Sequence, residues 1–150
     1  MGYATAIDLK RRIGGAVFNE IYGLSDLSDL SDLSDKAPLV DDLAGAAAEI
    51  DGAIAARYTL PVTGEKSLAL LKDWCLTLAE ERAYARPAGG DFTEKIKRRA
   101  DLVRQYLEML RCDKFRLPDA AENTGAGSGA GIALVQADAP VFGRNRMEGF

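Results

Sequence analysis

Within residues 39–112 of this 150-residue chain the apolar positions return every three or four residues, and that spacing limits the fold more than any other feature. Leu43, Ala47, Ile50 and Ile54 stand at steps of four, three and four, and Ile96, Ala100, Val103, Leu107 and Leu110 at four, three, four and three. An α-helix turns once in about 3.6 residues, so each set occupies one helix face, whereas a strand would need alternation by two. Leu68, Leu71, Cys75 and Leu78 line a third face, with Leu70, Trp74 and Leu76 beside it. So wide an apolar arc predicts the central helix of a bundle.

Punctuation sets the ends of these segments. Pro38 opens a helix from about Leu39 to Arg57, and Pro61 disfavours helix at the residue before it. Ser67 is placed to cap a helix running from about Leu68 to Ala85, which Pro87 and Gly89-Gly90 stop. Asp91 begins the next, from about Phe92 to Cys112. Upstream, Thr5 with Asp8 predicts the start of a short helix, Gly14-Gly15 breaks it, and Ala16 to Leu24 predicts a second short helix. Leu-Ser-Asp then occurs four times between Leu24 and Asp35. A period of three fits neither helix nor strand, so residues 24–37 are expected as a loop, and they lack the spacing of a calcium loop.

Beyond Cys112 the helical periodicity ends. Thr124 to Gly131 is a tether rich in glycine, Ile132 to Gln136 is a short β-prone run, and the chain closes on Val141-Phe142-Gly143-Arg144-Asn145-Arg146-Met147-Glu148-Gly149-Phe150. Aromatic, Met and Arg residues behind a flexible leader have the composition of a docking segment. The expected fold is therefore all-α. A bundle of about five helices occupies residues 1–112, and an extended C-terminal arm occupies residues 113–150.

The chemistry is sparse. The chain has no histidine, so Ser-His or Cys-His catalysis and Cys/His zinc sites are out of reach. The glycine run lacks the phosphate-cradling pattern GxxxxGK[ST]. The carboxylate pairs Asp41-Asp42 and Glu80-Glu81 are expected on solvated faces, and Cys75 and Cys112 as reduced thiols on apolar faces. No cofactor or metal is expected, nor an enzyme. A net charge of −4 argues against general nucleic-acid affinity. No apolar run reaches the roughly 20 residues that span a bilayer, and the first residues lack a signal-peptide core, so the chain is expected in a cytoplasm.

Charge is unevenly spread. Residues 24–51 hold eight acids and one base, and residues 91–117 hold eight bases and five acids. Such segregation favours head-to-tail self-association, with Asp41 and Asp42 on one side and Arg98 and Arg99 on the other. Leu102, Tyr106 and Met109 form a second apolar strip on the last helix and complete the expected subunit interface.

Three stretches in order carry a resemblance: Tyr3-Ala4-Thr5 with Asp8-Leu9, then Glu49-Ile50-Asp51-Gly52 through Ala56-Arg57-Tyr58-Thr59-Leu60-Pro61, and finally Val141 through Phe150. Together they resemble the small head proteins of Mu-like prophages, which are similar to the head-tail connectors of long-tailed phages. The resemblance implies a helical bundle forming a ring of about twelve subunits under the portal, in the virion neck, assembled in the host cytoplasm. Its partners would be further copies of itself, the portal protein, the next neck protein (stopper or tail terminator) and genomic DNA passing without specific binding, with no membrane. By analogy, Phe142, Arg144, Arg146, Met147 and Phe150 would anchor the arm to the portal. The fourfold Leu-Ser-Asp run departs from the family's short acidic turn. A second reading of the same residues is a cellular helical interaction module with a disordered tail that wraps one partner.

Overall fold

The computed structural model describes residues 2–24, 37–87 and 94–123. Five helices follow in order: α1 (Ala6–Ile13), α2 (Gly15–Tyr22), α3 (Ala37–Ile54), α4 (Glu65–Tyr84) and α5 (Glu94–Arg111). The fold is all-α; the extended pairing among the described residues is a single bridge between Tyr58 and Glu122. The Leu-Ser-Asp repeat, the glycine tether, the β-prone run and the terminal ten residues lie outside the described residues.

Local chemistry explains the two short helices. The Asp8 amide donates to Thr5 Oγ1 at 3.3 Å, and the Thr5 amide donates to Asp8 Oδ2 at 3.1 Å, closing a reciprocal capping box. Asp8 also accepts from Lys72 Nζ of α4 at 2.9 Å. That partner first, and Thr5 after it, lowers the Asp8 carboxyl to about 2. Gly14 then separates α1 from α2 at φ 98°, a backbone angle that strains any residue with a Cβ.

The long helices stack as the spacing requires. α4 is central and packs against α3, α5 and α1. Every residue from Trp74 to Glu80 is buried, so the wide apolar arc is a central-helix signature here. α3 buries Leu39, Ala46, Ala47, Ile50 and Ile54, and α5 buries Ile96, Ala100, Val103, Leu107 and Leu110. Each such Leu or Ile removed from water contributes about 1.5–3 kcal/mol, before the opposing chain entropy. Asp42 and Glu49 on α3 meet Arg86, just past the end of α4, and Arg82 on α4, while Glu80 and Trp74 on α4 meet Arg99 and Tyr106 on α5. Sequence order rises along one helix of each pair and falls along the other. Both pairs are therefore antiparallel, and α3 and α5 run parallel.

The structure revises several expectations. Ser67 is not a cap: α4 starts two residues earlier, and Ser67 is fully buried inside it. Its first-turn amides are capped from far away. Asp119 accepts from the Lys66 and Ser67 amides, both at 2.9 Å. Cys75 is buried as expected, but Cys112 is exposed, because it follows the last turn of α5 and not its buried face. Leu68, on the expected apolar stripe of α4, is exposed as well.

Past α5 the chain turns back onto the bundle. The Lys114 amide donates to Met109 O at 2.8 Å and the Asp113 amide to Leu110 O at 3.3 Å, with Asp113 left-handed at φ 60°, a Schellman stop without glycine. Leu117 is buried, and its amide donates to the buried Tyr58 hydroxyl at 3.0 Å. Thr59 N to Ala121 O (3.0 Å) and Asn123 N to Arg57 O (2.8 Å) fix the segment beside the α3–α4 connection.

Candidate interaction surfaces

Among the described residues the buried carboxylates of the bundle are paired within it. Asp42, 7% exposed, accepts from the Tyr22 hydroxyl at 2.8 Å and from Arg86 Nε and Nη2 at 2.8 Å each. Burial first, and the Asp42 hydrogen bond next, raise the Tyr22 phenol above its ordinary range. Glu80, 6% exposed, accepts from Arg12 Nε at 3.0 Å and Arg99 Nη2 at 2.8 Å. Glu49 takes Arg82 at 3.1 Å and Arg104 at 2.9 Å, and Arg104 also binds Glu81. Two carboxylates expected on solvated faces, Asp42 and Glu80, are thus buried, and each is neutralised by arginine from outside its own helix. Such pairs fix register between helices, because removing one partner leaves an uncompensated buried charge. Burial pushes the Cys75 thiol up to about 11, far from the thiolate that nucleophilic chemistry requires. Among the described residues no group of acids and cysteines could hold a metal ion, and no helix is long and apolar enough to cross a membrane.

The expected interface residues divide into two groups. Leu102 is 47% exposed and Met109 37% exposed, on one strip of α5 with the exposed Lys95, Arg98 and Gln105. Tyr106 is turned inward and stacks on Trp74 with ring centres 5.8 Å apart and planes within 2°, with Phe115 tilted against both. Arg99 bonds Glu80 along one edge and remains partly exposed. On α3, Asp41 is exposed and Asp42 is buried. The outward groups are therefore Arg98, Leu102, Met109 and Asp41, while Asp42 and Tyr106 bind within the fold. Phe142, Arg144, Arg146, Met147 and Phe150 lie outside the described residues.

One surface escaped sequence reasoning. An open groove of about 640 Å³ lies between the N-terminal segment and the start of α4, lined by Gly2, Tyr3, Asp51, Leu60, Pro61, Val62, Leu68, Ala69 and Lys72. The Tyr3 hydroxyl donates to Asp51 across its floor. Burial and that carboxylate raise the phenol above its ordinary range. No local pattern announces the groove, because its walls come from three separate segments.

The model of the family "Bacteriophage Mu, Gp36" matches residues 3–135 of this chain, which takes in every described helix. No curated protein matches it.

Proposed function

The chain belongs to the bacteriophage Mu Gp36 family, and from that membership we propose that it is a non-enzymatic component of the phage neck, a head-tail connector that assembles as a ring below the portal. The family and the all-helical fold make it a phage protein of structural type. One observation carries the finer reading. A body whose buried carboxylates, among the described residues, are matched internally still leaves a basic and apolar strip, Arg98, Leu102 and Met109, open on α5. Isolated exposed apolar residues are ordinary, but a strip at helical spacing fits a helix partner.

In this reading the mechanism is geometric. Each subunit presents two different side faces, and rotation closes them into a ring. The arm orders on the portal at an entropic cost that Phe142, Met147 and Phe150 offset, and many arms acting together hold a ring that one arm could not. DNA passes through the lumen without being gripped.

Two measurements test it. Sedimentation of the chain, alone and with its portal protein, should show a closed oligomer; a monomer under both conditions refutes the ring. Deleting residues 137–150 should leave the helical body folded, as judged by circular dichroism, and abolish attachment to filled heads. Normal tail joining by the truncated protein would remove the arm's role.

A further inference from the structure

We propose that the groove between the N-terminal segment and the start of α4 is the seat of residues 132–136 of the same chain, the run Ile132-Ala133-Leu134-Val135-Gln136. This goes beyond the ring reading and does not depend on it.

The groove brings together apolar side chains that the rest of the body leaves in water. Leu60, from the α3–α4 connection, is 37% exposed, and Leu68, from the first turn of α4, is 38% exposed. Both line the cleft of about 640 Å³, with Pro61 and Ala69 exposed beside them. Covering them removes apolar surface from water, which is favourable in proportion to the area. The two charged groups of the groove already have partners. Asp51 accepts from the Tyr3 hydroxyl, and Lys72 Nζ lies 2.9 Å from Asp8. A charged guest would compete with those bonds, whereas a short apolar guest without charge leaves them in place.

The described body ends beside this groove. Asn123 is its last residue, and its side chain accepts from Thr59 Oγ1 at 2.7 Å and donates to Ala55 O at 3.3 Å. Thr59 directly precedes groove residue Leu60, and the Ala55 amide donates to the carbonyl of groove residue Asp51 at 2.8 Å. The chain thus leaves next to the residues that carry two of the walls. Eight residues, Thr124 to Gly131, separate Asn123 from Ile132. A segment of that length reaches about 26–29 Å when extended, and a glycine-rich coil of that length spans roughly 14–17 Å. Either exceeds the single residue and single helical turn that part the exit from the walls. So short a tether presents the run at an effective concentration on the order of millimolar.

Among the segments outside the described residues, this run matches the groove in chemistry. The Leu-Ser-Asp repeat carries an acid at every third position, and the terminal ten residues carry Arg144, Arg146 and Glu148. Residues 132–136 carry no charge and three large aliphatic side chains. The family match ends at residue 135, so it takes in Ile132 to Val135 and stops before the terminal ten residues. With the run seated, residues 137–150 start from the groove and remain available for other contacts.

The test uses the full chain with Cys112→Ser, which leaves only the buried Cys75. Ala69→Cys with Ala133→Cys should close an internal disulfide on mild oxidation, at micromolar protein, at least tenfold faster than Ala69→Cys with Phe142→Cys. Equal rates would mean that no one segment holds the groove. A faster link from position 142 would give it to the terminal residues, and a link only between chains would give it to a second copy; each of these overturns the proposal. Independently, Ile132→Ser, Leu134→Ser and Val135→Ser together should shift the methyl resonances of Leu60 and Leu68. Unchanged resonances would overturn it as well.

Discussion

Asp119 accepts the backbone amide of Ser67, 52 positions earlier, at 2.9 Å, and so the segment after the last helix supplies the N-cap of the central one. Gly64, at the N-cap position itself, carries no side chain that could cap. It is small for a reason: a Cβ there would overlap both the carboxylate and the backbone carbonyl of Asp119. A single carboxylate therefore joins the end of the bundle to its middle.

Asp119→Ala should expose the first-turn amides of α4 and lower stability by about 1 kcal/mol, the usual worth of an N-cap side chain. Chemical denaturation measures the loss, and hydrogen exchange at Lys66 and Ser67 locates it. Unchanged exchange at those amides would show that the cap does not act.

Gly64→Ala should destabilise by about 1–3 kcal/mol through overlap with Asp119, even though Gly64 has an ordinary φ of −66°. In the Asp119→Ala background the backbone carbonyl remains in the way, so part of the cost should persist. Full additivity of the two changes would contradict direct contact.

Arg86→Ala should cost about 3–5 kcal/mol, because Asp42 is left buried with only the Tyr22 hydroxyl. Tyr22→Phe removes one hydrogen bond and should cost about 1 kcal/mol. Urea midpoints for the two variants give the order; equal losses would show that the Asp42 charge is not held by Arg86.

Acid should loosen the N-terminal helix and the α4 cap together. Asp8 sits at about 2 in the fold against an ordinary 3.8, and Asp119 is lowered by the Ser67 side chain first and by the Lys66 and Ser67 amides after it. A depressed carboxylate stabilises the fold above its unfolded value and loses that contribution as pH falls through the folded one. For Asp8 the loss runs from about pH 4 to about pH 2. Thermal melts across that range should show Asp8→Asn less sensitive to acid than the parent. The sole tryptophan, Trp74, 4% exposed, reports the unfolding by fluorescence.

How much of this was legible in the chain depends on range. The buried face of α5 could be read residue by residue, because Ile96 to Leu110 recur at helical spacing and each falls inward. The Thr5 cap, the first-turn charge of Asp8 and the break at Gly14-Gly15 were equally plain, since each acts within one helical turn, while the reciprocal bond from Asp8 back to the Thr5 amide came from the structure. Ser67 misled, because a serine before an apolar run has the composition of a cap wherever it sits, and only the docking of Asp119 decided that α4 begins earlier. The exposed half of the expected interface, Leu102 and Met109, came from the same periodicity. Tyr106 belonged to that strip by spacing and turned inward only because Trp74 offers a flat ring.

The sequence alone determined where helices form and which side of each is apolar, because propensity, capping and periodicity act over a few residues. Which carboxylates are buried, which arginine neutralises each and what caps the central helix were decided by the tertiary structure. Asp42 and Arg86 are 44 positions apart, and Asp119 and Lys66 are 53 apart. Electrostatic pairing depends on distance in space, and only the packed bundle sets that distance.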